Sequence, residues 1–317
     1  MATSTKTAPI PITKPSSQMG DATARVGTMI FAGGILLITL IILGVLMDKS
    51  VPTFSKFGFG FFSGANWDPN NEQFGALPFV YGTLLTSFLA LLIAVPLGVG
   101  AAIFLAELAP ANVSSVLTFL VELLAAVPSV IYGLLAIFTL VPFMRDYVEP
   151  GLAATLGFLP FFQGQIFGVG YLTAAIILAV MTFPFIISIS REALLDVPRD
   201  QREAALALGA TKWESVWDVV LPNAKLGIIG SIFLGLARAL GETMAVTMVI
   251  GNDPSIKASL FAPGYTIAAV IANEFAEASG NLHLSALVAL SFVLFLLTML
   301  INGVARIMLA ATARKNA

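Results

Sequence analysis

The chain has no cysteine and a single histidine, His283, among its 317 residues. Disulfide frameworks, thiolate nucleophiles and cysteine-ligated metals are therefore excluded. A histidine metal cluster or a Ser/His relay has almost nothing to build from. Charge is scarce too: Asp, Glu, Lys and Arg together make up 11% of the residues, against about 25% in soluble domains. No G-x-x-x-x-G-K-[ST] phosphate loop, H-E-x-x-H or G-x-S-x-G occurs, so neither an NTP-binding loop nor a common hydrolase signature is present. What fills the chain instead is apolar. The hydrophobic share is 58% and the mean hydropathy +0.94, so the solvent for most of this protein is lipid.

Six apolar runs stand out, roughly residues 26–47, 80–105, 116–143, 167–190, 226–250 and 284–309. Each reaches the ~20 residues that cross a hydrocarbon layer as a helix. The runs are continuous rather than alternating, which favours helices over strands. The expected fold class is an all-α membrane protein of six transmembrane helices spanning 26–310. Residues 1–25, rich in Thr, Ser, Pro and Lys, read as a disordered tail, and 311–317 as a second tail. The first run is too long for the apolar core of a signal peptide. Lys and Arg mark the cytoplasmic side. With both termini inside, eleven of them fall inside and four outside, and Arg238 is left within a span.

Trp67 and the cluster Phe57–Phe62 suggest an aromatic anchor at headgroup level. Pro96, Pro128 and Pro184 lie deep in spans and permit kinks. Each is compatible with ordinary bending, but three together favour a bundle with a path through it. A broken helix at Pro128 would expose Ser129 and backbone groups to that path. Glu122 faces either the path or the cytoplasmic interface, His283 reads as a surface residue, and Glu274 and Glu277 as contacts for an external partner.

The loop 191–225 is more than a linker. Pro198 suits the first turn of a helix, Glu203 to Leu208 continue it, and Gly209 supplies a stop. Thr211-Lys212-Trp213-Glu214 is a capping box that opens a second short helix, with Leu221-Pro222 as its end. Trp213, Val216, Trp217 and Val220 recur at i, i+3, i+4 and i+7 as one apolar face. That face suits either the bilayer surface or the groove of a partner.

Span five places small residues at every fourth position (Gly227, Ser231, Gly235, Ala239, Thr243), a stripe for close helix approach. Beside it stand Arg238 and Glu242, four apart and hence neighbours on one helical face. An arginine at mid-membrane costs about 2.5–3.5 kcal/mol even on the mild insertion scale, so it should face protein or water. Two readings stay open: a structural ion pair, or a station where the guanidinium takes a tetrahedral oxyanion in competition with Glu242.

Glu203-Ala204-Ala205, Gly209, Val219 and Leu221-Pro222 resemble the EAA signature of ABC importer permeases, with Val219 where Ile is commoner. The string from Leu236 to Val246, together with Asn66 to Pro69, Phe74 to Leu84, Leu123 to Gly133 and Ala272 to Ala278, is similar to the permeases of phosphate-specific (Pst) ABC importers, the Met-Ala-Val ending being nearer the C-type subunit. The resemblance implies a type I ABC importer permease bundle in the bacterial inner membrane that passes phosphate by alternating access. Glu203, Ala204, Ala205, Gly209, Trp213 and Trp217 would form its coupling helix. The implied partners are an A-type permease, two ATPase subunits carrying ATP and Mg, and an extracytoplasmic phosphate-binding protein, with no cofactor on this chain. Arg238, Glu242 and Ser129 would line the substrate pathway. Sulfate or molybdate on the same scaffold is the alternative; a secondary carrier or channel is a more distant one.

Overall fold

A computed structural model describes residues 18–314, so most of the expected N-terminal tail and the last three residues lie outside it. The chain divides into two compact units, residues 1–48 and 49–317. Helix α1 (Gln18–Phe57) begins within the expected tail. In the first unit most of its apolar side chains from Val26 to Met47 are exposed, as a helix solvated by lipid requires.

The second unit starts with the end of α1, where the backbone N–H and hydroxyl of Thr53 bond to the hydroxyl of Ser285. A short helix α2 (Gly60–Ser63) and a two-stranded hairpin, β1 (Trp67–Asp68) and β2 (Gln73–Phe74), follow. The expected aromatic anchor divides, with Phe59 and Phe62 exposed and Phe61 and Trp67 turned inward. Phe61 is fully buried, and Trp67 packs edge-on to Phe74 and Phe79, because the hairpin folds onto the bundle.

Helix α3 (Leu77–Ile103) continues as a π-helical turn over Phe104–Leu108, and α4 (Ala111–Ala126) returns. The expected third span, 116–143, is not one rod. Val127 turns extended and the chain restarts at α5 (Ser129–Leu135), as a pre-proline residue favours. From Ser129 a continuous helix runs through π turns and the segments α6 (Val141–Phe143) and α7 (Glu149–Leu156). Pro96 and Pro184, by contrast, stay inside helices.

Helix α8 (Tyr171–Leu195) is the most enclosed of the six long apolar helices among the described residues. After it come α9 (Arg199–Ala207), α10 (Lys212–Ser215), α11 (Leu221–Gly241), α12 (Met244–Val249), α13 (Ile267–Glu274) and α14 (Asn281–Arg314). Leu221-Pro222 does not end the coupling segment. A π turn over Val216–Val220 joins α10 to α11, with Leu221 N–H donating to Val216 C=O; Pro222 falls in the first turn of α11, where a missing donor is tolerated. Among the described residues six helices are long and apolar enough to cross a membrane.

The stripe on α11 packs on α8 as its spacing predicts. Ser231 and Ser190 share a buried hydrogen bond of 2.7 Å, Gly227 abuts Ala193, and Gly235 abuts Ile186. One core joins α3, α5, α8 and α12. A second gathers the hairpin, α13 and α14. A third, at the end where Arg191, Arg199, Arg202 and Lys212 collect (the basic end), holds Ile103, Leu194, Val197, Val216 and Val220.

Candidate functional site

Two helix breaks face each other. The first lies at Val127-Pro128. The C=O of Leu124 there accepts from Val127 N–H at 3.2 Å and from the Tyr132 hydroxyl at 2.8 Å, so Tyr132 replaces a donor that the proline removes. The second break, at Glu242-Thr243, interrupts span five, which was expected to run unbroken to 250. Glu242 is extended (ψ 125°) and α12 begins at Met244. The helices that restart after the breaks, α5 and α12, are pressed together: a methyl on Gly133 would lie 2.4 Å from Met248 Sδ and 3.2 Å from Ala245 Cα.

The break dissolves the expected Arg238–Glu242 pair. The i, i+4 relation brings side chains together only while the helix continues, and Glu242 has already left it. Its Oε1 turns instead toward the Ala245 N–H, at 3.5 Å, at the start of α12. Arg238 stacks on Phe185 of α8, its guanidinium carbon 4.2 Å from the ring centroid. Its Nε is buried without a hydrogen-bond partner, and no carboxylate forms an ion pair with it among the described residues. A cation resting on an aromatic face keeps its in-plane donors uncommitted. Ser129, half-buried, opens the helix that restarts at the first break. A helix start presents backbone N–H groups and positive potential, the arrangement in which discontinuous membrane helices hold anionic groups.

At the basic end the local signals hold. Pro198 stands at the cap of α9. Gly209 has φ +91°, with Gly209 N–H bonded to Leu206 C=O and Ala210 N–H to Ala205 C=O, a Schellman stop. Thr211 and Glu214 close the capping box reciprocally. The apolar face of the second helix divides, however. Val216 and Val220 enter the core, whereas Trp213 and Trp217 are 54% and 59% exposed and stack on each other at 5.9 Å. The i, i+4 pairs form two adjacent stripes, and the π turn at Val216 separates them. Glu203, Ala204 and Gly209 are exposed, Ala205 is half-buried, and Leu206 and Leu208 add apolar surface.

Three relationships have no local signal in the sequence. Arg202 on α9 pairs with Glu107 at the end of α3 at 2.7 Å and also donates to the Leu194 and Val197 carbonyls. His283 is buried rather than on the surface, stacked on Phe74 and 3.1 Å from Glu274. Glu274 also accepts from Trp67 Nε1 at 2.9 Å, whereas Glu277 is exposed.

A profile of the family described as binding-protein-dependent transport system inner membrane component matches residues 94–315. Among curated proteins, the chain is similar to the phosphate transport system permease protein PstC of Mesorhizobium japonicum, 47% identical over 86% of each chain. It is likewise similar to that of Pasteurella multocida, 45% identical over 92% of each. PstC 2 of Mycobacterium tuberculosis is 39% identical over 93% of this chain and 96% of its own. Among solved structures, the inward-facing MetNI methionine ABC transporter superposes with a TM-score of 0.53 at 20% identity, covering 75% of this chain and 94% of the other. A bacterial alginate ABC transporter gives 0.55 at 16%, covering 90% and 96%. The fold is that of type I ABC importer permeases, and the six apolar helices are those of a multi-pass membrane protein. The chain belongs to the binding-protein-dependent transport system inner membrane components and, within them, to the family of the phosphate transport system permease proteins.

Proposed function

We propose that this chain is the C-type permease subunit of an ATP-driven importer and passes inorganic phosphate inward by alternating access. The observation that carries this is Arg238: a guanidinium beside a helix break, stacked on Phe185, its Nε unpartnered and no carboxylate paired with it among the described residues. In a low-dielectric passage such a group attracts a tetrahedral oxyanion and offers it bidentate hydrogen bonds. Ser129, at the helix start across from the second break, lines the same passage. Glu242, held toward α12, leaves the arginine open to the anion; swinging back, it would compete for the cation and speed release, since a transport site must let go of what it binds.

The basic end faces the cytoplasm in this reading, with both termini inside, following the distribution of Lys and Arg. Glu203, Ala204, Ala205, Gly209, Trp213 and Trp217 form the surface that docks an ATPase subunit. ATP and Mg belong to two such subunits, a homologous A-type permease completes the passage, and an extracytoplasmic binding protein delivers phosphate. Arg238→Gln tests the assignment in the complete complex reconstituted in vesicles. Uptake is expected to fall to background while all subunits still copurify; undiminished phosphate uptake overturns it. Competition by sulfate and molybdate, measured alongside, decides between phosphate and its nearest chemical relatives.

A further inference from the structure

Arg191 stands at the basic end of α8, six residues beyond the Phe185 on which Arg238 rests. At 1.5 Å per residue that is about 9 Å closer to the cytoplasmic face. It lines a cavity of about 440 Å³ together with Ser114, Ser115, Thr118 and Glu122 of α4, the helix that rises from the cytoplasmic side to the break at Pro128. Arg191 Nε and Thr118 Oγ1 are both buried without a hydrogen-bond partner. No ion pair joins Arg191 to Glu122 or to any other carboxylate among the described residues. An orphaned buried donor is costly, and here two donors line one hollow whose remaining wall is two serine hydroxyls, the Glu122 carboxylate, Ala111 and the Phe119 ring.

We infer that this cavity is a second oxyanion station, on the cytoplasmic side of Arg238, built for a tetrahedral oxyanion that still carries a proton. Arg191 supplies charge and N–H donors, and Thr118 and Ser115 supply hydroxyl donors. The Glu122 carboxylate accepts only, so it welcomes an O–H of a protonated phosphate and repels an oxygen that has none. Sulfate has no such proton at neutral pH, nor has the phosphodiester of a common phospholipid. The wall of the cavity therefore selects inorganic phosphate over both. The site fills from the passage, so the inference rests on the transport reading and extends it to a two-step exit.

The test is equilibrium binding of radiolabelled inorganic phosphate to the purified, nucleotide-free complete complex, with copurified phospholipid quantified by mass spectrometry. Arg191→Gln is expected to weaken binding about tenfold or more, with Arg191→Lys restoring much of it in an equally well assembled complex. Glu122→Gln is expected to let sulfate compete. If Arg191→Gln instead removes a tightly held phospholipid and leaves phosphate binding intact, the cavity holds a lipid phosphate and the assignment to inorganic phosphate is overturned. Unchanged phosphate binding with an unchanged lipid complement overturns the station altogether. Uptake by Arg238→Gln, measured in parallel, reports on the transport reading separately: its survival would remove the route but not a binding defect at Arg191.

Discussion

Nη2 of Arg202 lies 2.7 Å from Oε1 of Glu107, tying α9 to the far end of α3 across 95 residues of sequence. The pair is mostly buried, with side chains 17% and 11% exposed, and the same guanidinium caps the end of α8 through the Leu194 and Val197 carbonyls. One side chain thus links the proposed docking surface to two spans.

Cutting that link should disconnect the ATPase from the passage. Arg202→Ala strands Glu107 in a largely enclosed site and removes donors from two carbonyls, at a cost of about 3 kcal/mol. Glu107→Gln keeps a hydrogen-bond acceptor and costs less. In reconstituted complexes, both should lower phosphate uptake per ATP hydrolysed, Arg202→Ala more strongly. Equal coupling ratios in variant and wild type would refute the linkage.

Trp213 and Trp217 should be separable from folding. Val216 and Val220 anchor their helix in the core, and the tryptophans stack outside it. Replacing both tryptophans with alanine is expected to leave the thermal midpoint of the isolated permease nearly unchanged, as exposed substitutions do. Copurification with the ATPase should be lost. Replacing Val220 with alanine should do the reverse and destabilise the chain by about 1–3 kcal/mol.

The contact between the two breaks predicts a compensating pair. Gly133→Ala drives a methyl into Met248 Sδ, and overpacking of this kind costs about 1–3 kcal/mol. Adding Met248→Ala empties that space, while the nearest backbone atom, Ala245 Cα at 3.2 Å, has only to yield slightly. Thermal unfolding of the two single variants and the double variant should show non-additivity; strict additivity would mean that the breaks do not touch.

Asp68 gives a pH test. Its carboxylate accepts from Asn71 Nδ2 at 2.6 Å and from the Asn70 and Asn71 backbone N–H groups. The Asn71 side-chain bond is the main cause holding it below the usual aspartate value of 3.8. A lowered folded value means the contribution is complete above the unfolded value and disappears as pH falls through the folded one. Amide protection factors in the β1–β2 hairpin, taken relative to intrinsic exchange at each pH, should therefore hold down to about pH 4 and fall only beneath it. Asp68→Asn should lower them at neutral pH and flatten their dependence.

What could be read in advance was what is local. Gly209 and the Thr211–Glu214 capping box carry their geometry in a few consecutive residues, and the number of spans follows from apolar length, although the third runs over Ser129–Leu156 rather than 116–143. The breaks could not be placed that way. Pro96, Pro128 and Pro184 sit in equally apolar surroundings, yet only Pro128 starts a new helix, because Tyr132 satisfies the carbonyl left behind and α12 packs against the turn. The Arg238–Glu242 spacing misled for a related reason: pairing by sequence distance presumes a helix, and the helix ends at Gly241. Arg202 and Glu107, far apart in sequence, offered no pattern at all.

The seam between α8 and α11, with Ser190 and Ser231 sharing a hydroxyl hydrogen bond and glycines set against Ala193 and Ile186, has a mechanical corollary. Sliding one helix along the other by a single turn would separate the hydroxyls in a dry interior and drive side chains into backbone. The two rods are thus geared as one lever, on which Arg238 and the aromatic ring beneath it ride together. Rotation has to be taken up where the rods end, which for α11 is Glu242-Thr243, the pivot of the lever.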